Sequence, residues 1–212
     1  EDHVVPVVET QDITVQLDAY GVTSIVPGDI DNGSTDNCEI ATYELDIDDF
    51  SCADITGPLN TNNTVTVTLT VTDIHGNSNS NTAVVTVQDN VVPVVKTKDI
   101  TVQLDATGNI SIVPADINDG STDNCGIATY ELDIDQFSCA DIKGLLNTNN
   151  TVTVTLTATD IHGNSNSKTA VVTVQDNVVP VVETQNITVQ LDASGNASIT
   201  PAMIDLGSAD NC

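Results

Sequence analysis

The sequence has few positive charges and no long apolar run. Four lysines, no arginine and 31 acidic residues give a formal net charge of −27. Proteins that bind a nucleic-acid backbone or an anionic membrane need basic surface, so this composition argues against both partners. No stretch approaches the roughly 18 apolar residues of a membrane span, so we expect no membrane insertion. The acidity suits a soluble surface protein or a protein that collects cations.

Aromatic rings and catalytic motifs are also scarce. Aromatic residues make up 2% of the chain and there is no tryptophan. This disfavours a carbohydrate-binding platform and leaves the core to Val, Ile, Leu and Ala. The sequence contains no Gly-x-Ser-x-Gly, no His-Glu-x-x-His and no phosphate-binding glycine loop. His75 and His162 occupy one turn position in two copies of a repeat, and we interpret them as hairpin residues. We therefore predict that the chain is not an enzyme.

An 87-residue unit recurs along the chain. Cys38, Cys125 and Cys212 are 87 residues apart, and the Val-Pro-Val-Val segments keep the same spacing. A fixed period of this length indicates an array of whole domains, each of which folds alone. We predict immunoglobulin-like repeats at residues 1–89 and 90–176 and an incomplete third repeat at 177–212, within a longer array.

Each complete repeat has a strong strand pattern. Residues 63–73 alternate Thr with Val or Leu, and a Gly- and Asn-rich turn separates them from a second apolar strand at 82–89. About seven short strands are expected per repeat, including strands at 23–27 and 50–55 in the first repeat. They indicate an all-β fold of tandem immunoglobulin- or fibronectin-III-like antiparallel β-sandwiches. The short, proline-containing linker at 90–93 predicts that the array forms a rod.

Three segments resemble the hyaline-repeat (HYR) family. They are Asp36-Asn37-Cys38, the run from Thr70 to Asn77, and the run from Ala83 to Asp89. The resemblance implies an immunoglobulin-like fold and a place in the giant secreted surface adhesins of Bacteroidetes, including those of gliding motility. It therefore implies a secreted protein that is extracellular or on the bacterial cell surface. The chain lacks the early-strand Trp and the last-strand Cys of animal relatives, so their disulfide arrangement does not carry over.

The cysteines indicate the compartment. Each complete repeat carries two, Cys38 with Cys52 and Cys125 with Cys139, and there is no C-x-x-C motif. This pattern favours a structural disulfide within each repeat and an oxidising environment. A pair of buried free thiols in each repeat is the alternative.

Acidic and amide side chains are expected to converge at the junctions between repeats. The loop before Cys38, the hairpin turn after Asp73 and the incoming linker should meet at one end of the sandwich. Calcium takes six to eight oxygen ligands of these types, whereas the alternative is that Asp, Asn and Gly simply make good turns. The predicted calcium ligands are Asp2, Asp31, Asp36, Asn37, Asp73 and Asn77 at the first junction, and Asp89, Asn90, Asn118, Asp123, Asn124, Asp160 and Asn164 at the second.

These features together predict a structural role. We expect a stalk or fibre segment of a large extracellular adhesin, stiffened by calcium and stapled by disulfides. Its partners would be the neighbouring repeats of the same chain, together with surface polysaccharide or other cells. Two alternatives stay open: a polysaccharide- or ice-binding repeat module, and an accessory region of a secreted carbohydrate-active enzyme.

Overall fold

The structure is a computed structural model that describes residues 2–144, 147–148 and 150–212, and β-strands dominate it. The first repeat contains β1 (Ile13–Gln16), β2 (Val22–Ser24), β3 (Ile40–Leu45), β4 (Asp49–Ser51), β5 (Thr64–Asp73) and β6 (Ser78–Gln88). The second contains β7 (Ile100–Gln103), β8 (Asn109–Ser111), β9 (Ile127–Leu132), β10 (Gln136–Ser138), β11 (Thr151–Asp160) and β12 (Ser165–Gln175). Short helices lie at α1 (Pro27–Ile30), α2 (Pro114–Ile117) and α3 (Pro201–Ile204). The predicted all-β sandwich fold is confirmed.

One sheet of the first repeat has the strand order β1-β6-β5-β3, and β2 pairs with β4 in a second, smaller sheet. The long hairpin of β5 and β6 is antiparallel, as its Gly- and Asn-containing turn requires. β1 pairs with β6 in parallel, with Ile13 opposite Val85. The expectation of purely antiparallel pairing is therefore wrong at this edge. Strands far apart in sequence are not joined by a hairpin, so either direction is open to them.

The alternation of Thr with apolar residues places one face of β5 in the core. Val67, Leu69 and Val71 are fully buried, whereas the intervening threonines lie on the outer face. Phe50 of β4 and Ile30 of α1 close the core from the other side. Apart from Phe50, the hydrophobic core of this repeat is thus aliphatic, as the scarcity of aromatic residues predicts.

Two segments expected to be strands contain helical turns. The strand expected at 23–27 ends at Ser24, and Pro27 opens α1 because its fixed φ suits the first helical position. The Asp29 carboxylate accepts a hydrogen bond of 2.7 Å from the backbone N–H of Val26 and so caps that turn. The strand expected at 50–55 is Asp49–Ser51, followed by a 3-10 turn at Cys52–Asp54.

The chain forms two compact units. The first consists of Glu1–Lys96, Gly120–Glu131 and Thr157–Lys168, and the second of Thr97–Asp119, Leu132–Leu156 and Thr169–Cys212. The repeat boundaries at residues 89 and 176 stay a prediction. Among the described residues, no helix has the length and apolar character needed to cross a bilayer.

Removal of a core side chain tests this packing. Leu69→Ala is expected to lower the free energy of unfolding by about 2–5 kcal/mol, because it leaves a cavity in a fully buried site. Thr66→Ala on the exposed face of the same strand is the matched control and should change it by no more than about 0.5 kcal/mol. Equal losses for the two variants in urea unfolding would contradict the assigned inward face of β5.

Candidate metal centre

Three acidic residues from three separate segments meet in the first compact unit. Asp89 directly follows β6, Asp123 lies in the loop before β9, and Asp160 is the last residue of β11. The Asp160 carboxylate organises the hairpin turn after it. Its Oδ1 accepts hydrogen bonds of 2.8 Å from the backbone N–H groups of His162 and of Asn164. The same short-range bonding that makes Asp a turn former also fixes this carboxylate in place.

The three carboxylates lie close enough to share one cation. One oxygen from each of Asp89, Asp123 and Asp160 lies within 4.8 Å of the others. Asp89 is 0% exposed and Asp160 is 2% exposed. Two amides hold the group together: Asn164 Nδ2 donates to Asp160 Oδ2 at 2.8 Å, and Asn124 Nδ2 donates to Asp89 Oδ1 at 3.0 Å. Buried like charges this close repel strongly unless a cation or a proton neutralises them.

Among the described residues, two oxygens of this cluster find no hydrogen-bond partner. They are Asp123 Oδ1 and Asn124 Oδ1, and both are buried. A buried polar oxygen without a partner costs free energy, so such atoms call for a ligand. Carboxylate and amide oxygens are the donors that calcium prefers. The donor set therefore fits a calcium ion held by Asp89, Asp123, Asn124 and Asp160.

Electrostatics within the cluster also favour a cation. Burial raises the pKa of Asp123 above its ordinary value, and the neighbouring charges of Asp160 and Asp89 raise it further. Hydrogen bonds from the backbone N–H groups of Cys125 and Gly126 lower it in part. The net upward shift shows that this site disfavours a third negative charge when no cation is present.

A second cluster of the same composition lies at the start of the chain. One carboxylate oxygen from each of Asp2, Asp36 and Asp73 lies within 4.8 Å of the others. Asn77 Nδ2 donates to Asp73 Oδ2 at 2.7 Å and to the backbone carbonyl of Asp2 at 3.2 Å. Asn37 Nδ2 lies 3.4 Å from Asp2 Oδ1. Asp2 Oδ2 and Asp36 Oδ1 are buried, and neither has a hydrogen-bond partner in the part of the chain that the structure describes.

Hydrogen bonds lower the pKa values of Asp2 and Asp73 in this cluster. The backbone N–H of Val4 and the Cys38 thiol lower the pKa of Asp2. Burial alone would raise the pKa of Asp73, but hydrogen bonds from the side chain and backbone of Asn77 and from the backbone of His75 lower it. The turn therefore stabilises the ionised form of Asp73.

Three predicted ligands lie outside the two clusters. Asp31 ends α1, and its Oδ1 accepts hydrogen bonds from the backbone and hydroxyl of Ser34. Asn90 is exposed, and its Nδ2 donates to Gln16 Oε1 at 2.6 Å. Asn118 ends α2 in the second compact unit, where its backbone N–H donates to Pro114. The other ten predicted residues are in the clusters or hydrogen-bond directly to them.

The histidines are more than hairpin residues. His162 is 3% exposed, and its Nδ1 lies 3.0 Å from Asp89 Oδ2. His75 Nδ1 lies 3.7 Å from Asp2 Oδ2, but 44% of its side chain is exposed. Leu59 explains part of the difference, since it packs over the turn at Gly163 while the space beside Gly76 is open. The recurrence of His at one offset from Asp73 and Asp160 is the sequence signal for this contact.

The disulfides join repeats, and the predicted pairing within repeats is wrong. Cys52 bonds Cys125 and Cys139 bonds Cys212, each across 73 residues. Cys38 is free and exposed. Cys38 lies beside the turn that opens β6, whereas Cys52 meets Cys125 beside Asp89, past the far end of that strand. These ends are about 30 Å apart, and a disulfide requires Cα atoms within about 7 Å.

Comparison with known proteins gives one family. The model of the Cloacin family, described as the colicin-like bacteriocin tRNase domain, matches residues 98–208, which is just over half of the chain. No curated protein matches the chain significantly. The prediction that the chain is not an enzyme is contradicted by the family match, because that family is named for a nuclease activity.

Solved structures of cadherins show a loose likeness. Residues of Drosophila N-cadherin EC1-4 superpose with a TM-score of 0.43 at 16% identity, over 81% of this chain and 50% of that one. Human protocadherin-24 EC1-2 gives a TM-score of 0.39 at 13% identity, over 79% of this chain and 96% of that one. The chain thus spans about half the length of the N-cadherin fragment.

The raised pKa of Asp123 predicts a pH effect on stability in the absence of divalent cations. A carboxyl group with a raised folded-state pKa stabilises the fold below its ordinary pKa of about 3.9 and loses that contribution as pH rises through the folded value. In EDTA, Asp123→Asn should therefore raise the Tm at neutral pH and flatten the decline above about pH 4. The exposed Asp119 supplies the control Asp119→Asn, which removes the same charge away from the cluster. Parallel Tm–pH curves for wild type and Asp123→Asn would contradict the assignment.

Proposed function

We propose that this chain, which belongs to the Cloacin family of the colicin-like bacteriocin tRNase domain, is a calcium-binding structural repeat segment of an extracellular adhesion protein. One observation carries the proposal: Asp89, Asp123 and Asp160 place three carboxylates within 4.8 Å of one another in a largely buried site. A buried cluster of this charge is costly alone and becomes stabilising with a divalent cation.

The surroundings of the cluster connect the cation to the joining of repeats. Asp89 closes the first repeat, while Asp123 and Asp160 come from the second, and all three lie in the first compact unit. The Cys52–Cys125 bond lies beside them, since Cys125 Sγ is within 4.8 Å of Asp89 and His162. One ion bound there would hold both repeats at the joint, which is the stiffening that an extracellular stalk requires.

The extracellular location and the adhesive role have separate support. Two disulfides suit an oxidising compartment and are uncommon in the cytosol. A net charge of −27 suits a surface that is bathed in divalent cations. The resemblance of three segments to hyaline repeats supports the part of this proposal that assigns the chain to a secreted bacterial surface adhesin of the gliding-motility type. Its partners would then be neighbouring repeats, surface polysaccharide or other cells.

Calcium is expected to raise the stability of the chain. At one hundred times the dissociation constant, one independent site adds about 2.7 kcal/mol to the free energy of unfolding. Asp160→Asn should remove most of this gain at the second junction, because the amide keeps the turn's hydrogen-bond acceptor but loses the charge. Asp119→Asn should retain the gain. Thermal unfolding with calcium and with EDTA, together with titration calorimetry, measures both quantities.

Two results would contradict the calcium site. The first is an unchanged Tm between calcium and EDTA with no heat of binding. The second is an equal loss of the calcium effect in Asp160→Asn and Asp119→Asn, which would reduce the effect to general screening of the acidic surface.

The family match favours a second candidate function, cleavage of tRNA. His162 is the single histidine within the matched residues 98–208. A general base is most often a histidine, and the Asp89 carboxylate 3.0 Å from its Nδ1 would orient the ring. The side chain is buried, so the ring must become accessible before it can contact a ribose hydroxyl.

Incubation of the full chain with tRNA tests this candidate. It predicts cleavage that is lost in His162→Ala and kept in His75→Ala, because His75 lies outside the matched residues. Gel analysis of the RNA, with and without calcium, provides the measurement. Intact tRNA after incubation with wild-type protein, or cleavage that persists in His162→Ala, would eliminate His162 as the base.

A further inference from the structure

The structure contains the same joint twice. In the first compact unit Cys52 bonds Cys125, and Asn124 Nδ2 donates to the backbone carbonyl of Asp18 at 3.1 Å. In the second unit Cys139 bonds Cys212, and Asn211 Nδ2 donates to the carbonyl of Asp105 at 3.0 Å. The cysteines of each bond are 73 residues apart. The joint is therefore a reproducible interface with a covalent and a hydrogen-bonded part.

Glycine is required on one side of each joint. We call this side the carbonyl pole. It consists of Asp18, Gly21 and Cys52 in the first repeat, and of Asp105, Gly108 and Cys139 in the second. A Cβ atom on Gly21 would lie 2.9 Å from the carbonyl oxygen of Asn124, and one on Gly108 would lie 2.9 Å from that of Asn211. Both glycines also have positive φ angles, of 76° and 75°. Side chains are excluded here because the opposing backbone packs directly on the glycine.

The other side of the joint recurs around Cys38, where no pole lies among the described residues. We call the surface of Asp2, Asn37, Cys38 and His75 the asparagine face. Its loop has the joined conformation already, since Asp36 Oδ2 accepts from the backbone N–H of Cys38 at 2.9 Å, as Asp123 Oδ2 does from that of Cys125 at 3.0 Å. The His75 side chain is 44% exposed, whereas the equivalent His162 side chain is 1% exposed.

The hydrogen bonds of Asn37 also show the difference. In the joint, Asn124 Nδ2 donates both to Asp89 Oδ1 and to the Asp18 carbonyl of the carbonyl pole. Asn37 Nδ2 instead makes long contacts within its own face, 3.4 Å to Asp2 Oδ1 and 3.6 Å to Cys38 Sγ. A preformed loop with a poorly satisfied amide and an exposed thiol is suited to a partner that supplies a carbonyl and a cysteine.

We propose that the asparagine face docks the carbonyl pole of another repeat of this kind, and that Cys38 then forms a disulfide with the unpaired cysteine of that pole. The argument is continuity with the interface already present twice in the chain. The disulfide and the hydrogen bond of Asn37 involve no cation, so their formation can be tested without calcium. Docking would extend the array by one repeat through the same joint, whichever polypeptide carries the pole.

The bond needs an oxidant, for which a small-molecule disulfide such as oxidised glutathione suffices. The cysteine thiolate of the pole attacks oxidised glutathione, forms a mixed disulfide and releases one glutathione thiolate. The Cys38 thiolate then attacks the pole's sulfur and releases the second glutathione thiolate. Two cysteine thiols are thereby oxidised, one glutathione disulfide is reduced to two thiols, and the protons pass to the released glutathione.

An extended full chain tests the proposal. A copy of residues 90–176 is inserted between Asp2 and His3, so that the copied Cys139 precedes Cys38 by the 73 residues found in both disulfides. In a glutathione redox buffer, mass spectrometry of unreduced peptides should find Cys38 bonded to this copied cysteine. The free thiol should move from Cys38 to the copied Cys125.

Two matched variants of the extended chain separate docking from chance oxidation. Cys139→Ser in the inserted copy should leave Cys38 free. Asn37→Ala should slow formation of the new bond about fivefold, the effect of one lost hydrogen bond, while Asn32→Ala on the exposed neighbouring loop should not. A Cys38 that stays free in the extended chain, or that pairs with itself between copies, would overturn the proposal.

Discussion

The repulsion among buried carboxylates constrains the rest of this structure. Asp89 and Asp160 are almost fully buried, and Asp123 shares their site within 4.8 Å. The amides of Asn124 and Asn164 satisfy some of the oxygens, yet an amide dipole cannot neutralise three charges. The fold must therefore hold the acids together by other means. The aliphatic core of the first repeat, against which Cys52 and Cys125 pack, and the bond between these cysteines do so. A divalent cation would neutralise the repulsion among these carboxylates and bind them to one another.

The parts of the fold that depend on local pattern could be predicted from the sequence. The Thr–Val alternation of β5 specifies which face is buried whatever lies next to it, and the turn after Asp73 needs only its own Asp, Gly and Asn. The parallel pairing of β1 with β6 joins residues 72 positions apart, so no local signal specifies its direction. The turn at Pro27 was hidden for the opposite reason: four residues are too few to show a helical period.

The acids of the candidate site could be predicted because they recur together in every complete repeat. The cysteine pairing could not be predicted, because the 87-residue period is compatible with two different pairings. Cys38 and Cys52 are 14 residues apart, Cys52 and Cys125 are 73 apart, and an 87-residue repeat reproduces both spacings equally well. Only the length of β6, which separates Cys38 from Cys52 by about 30 Å, decides between them. Hydrogen bonds that cross the joint, such as that from Asn124 to Asp18, are invisible to sequence for the same reason.

Identical residues acquire different properties in the two copies, and the joint is the cause. His75 and His162 follow the same turn with the same backbone bonds to Asp73 and Asp160, yet one side chain is 44% exposed and the other 1%. The second is covered because the Leu59 region of the first repeat packs against its turn at Gly163. Burial strengthens electrostatic interactions, so the cluster that contains the fully buried Asp89 bears a greater charge penalty than the cluster that contains the partly exposed Asp2. The charge penalty at such a site therefore depends on two joined repeats rather than on one.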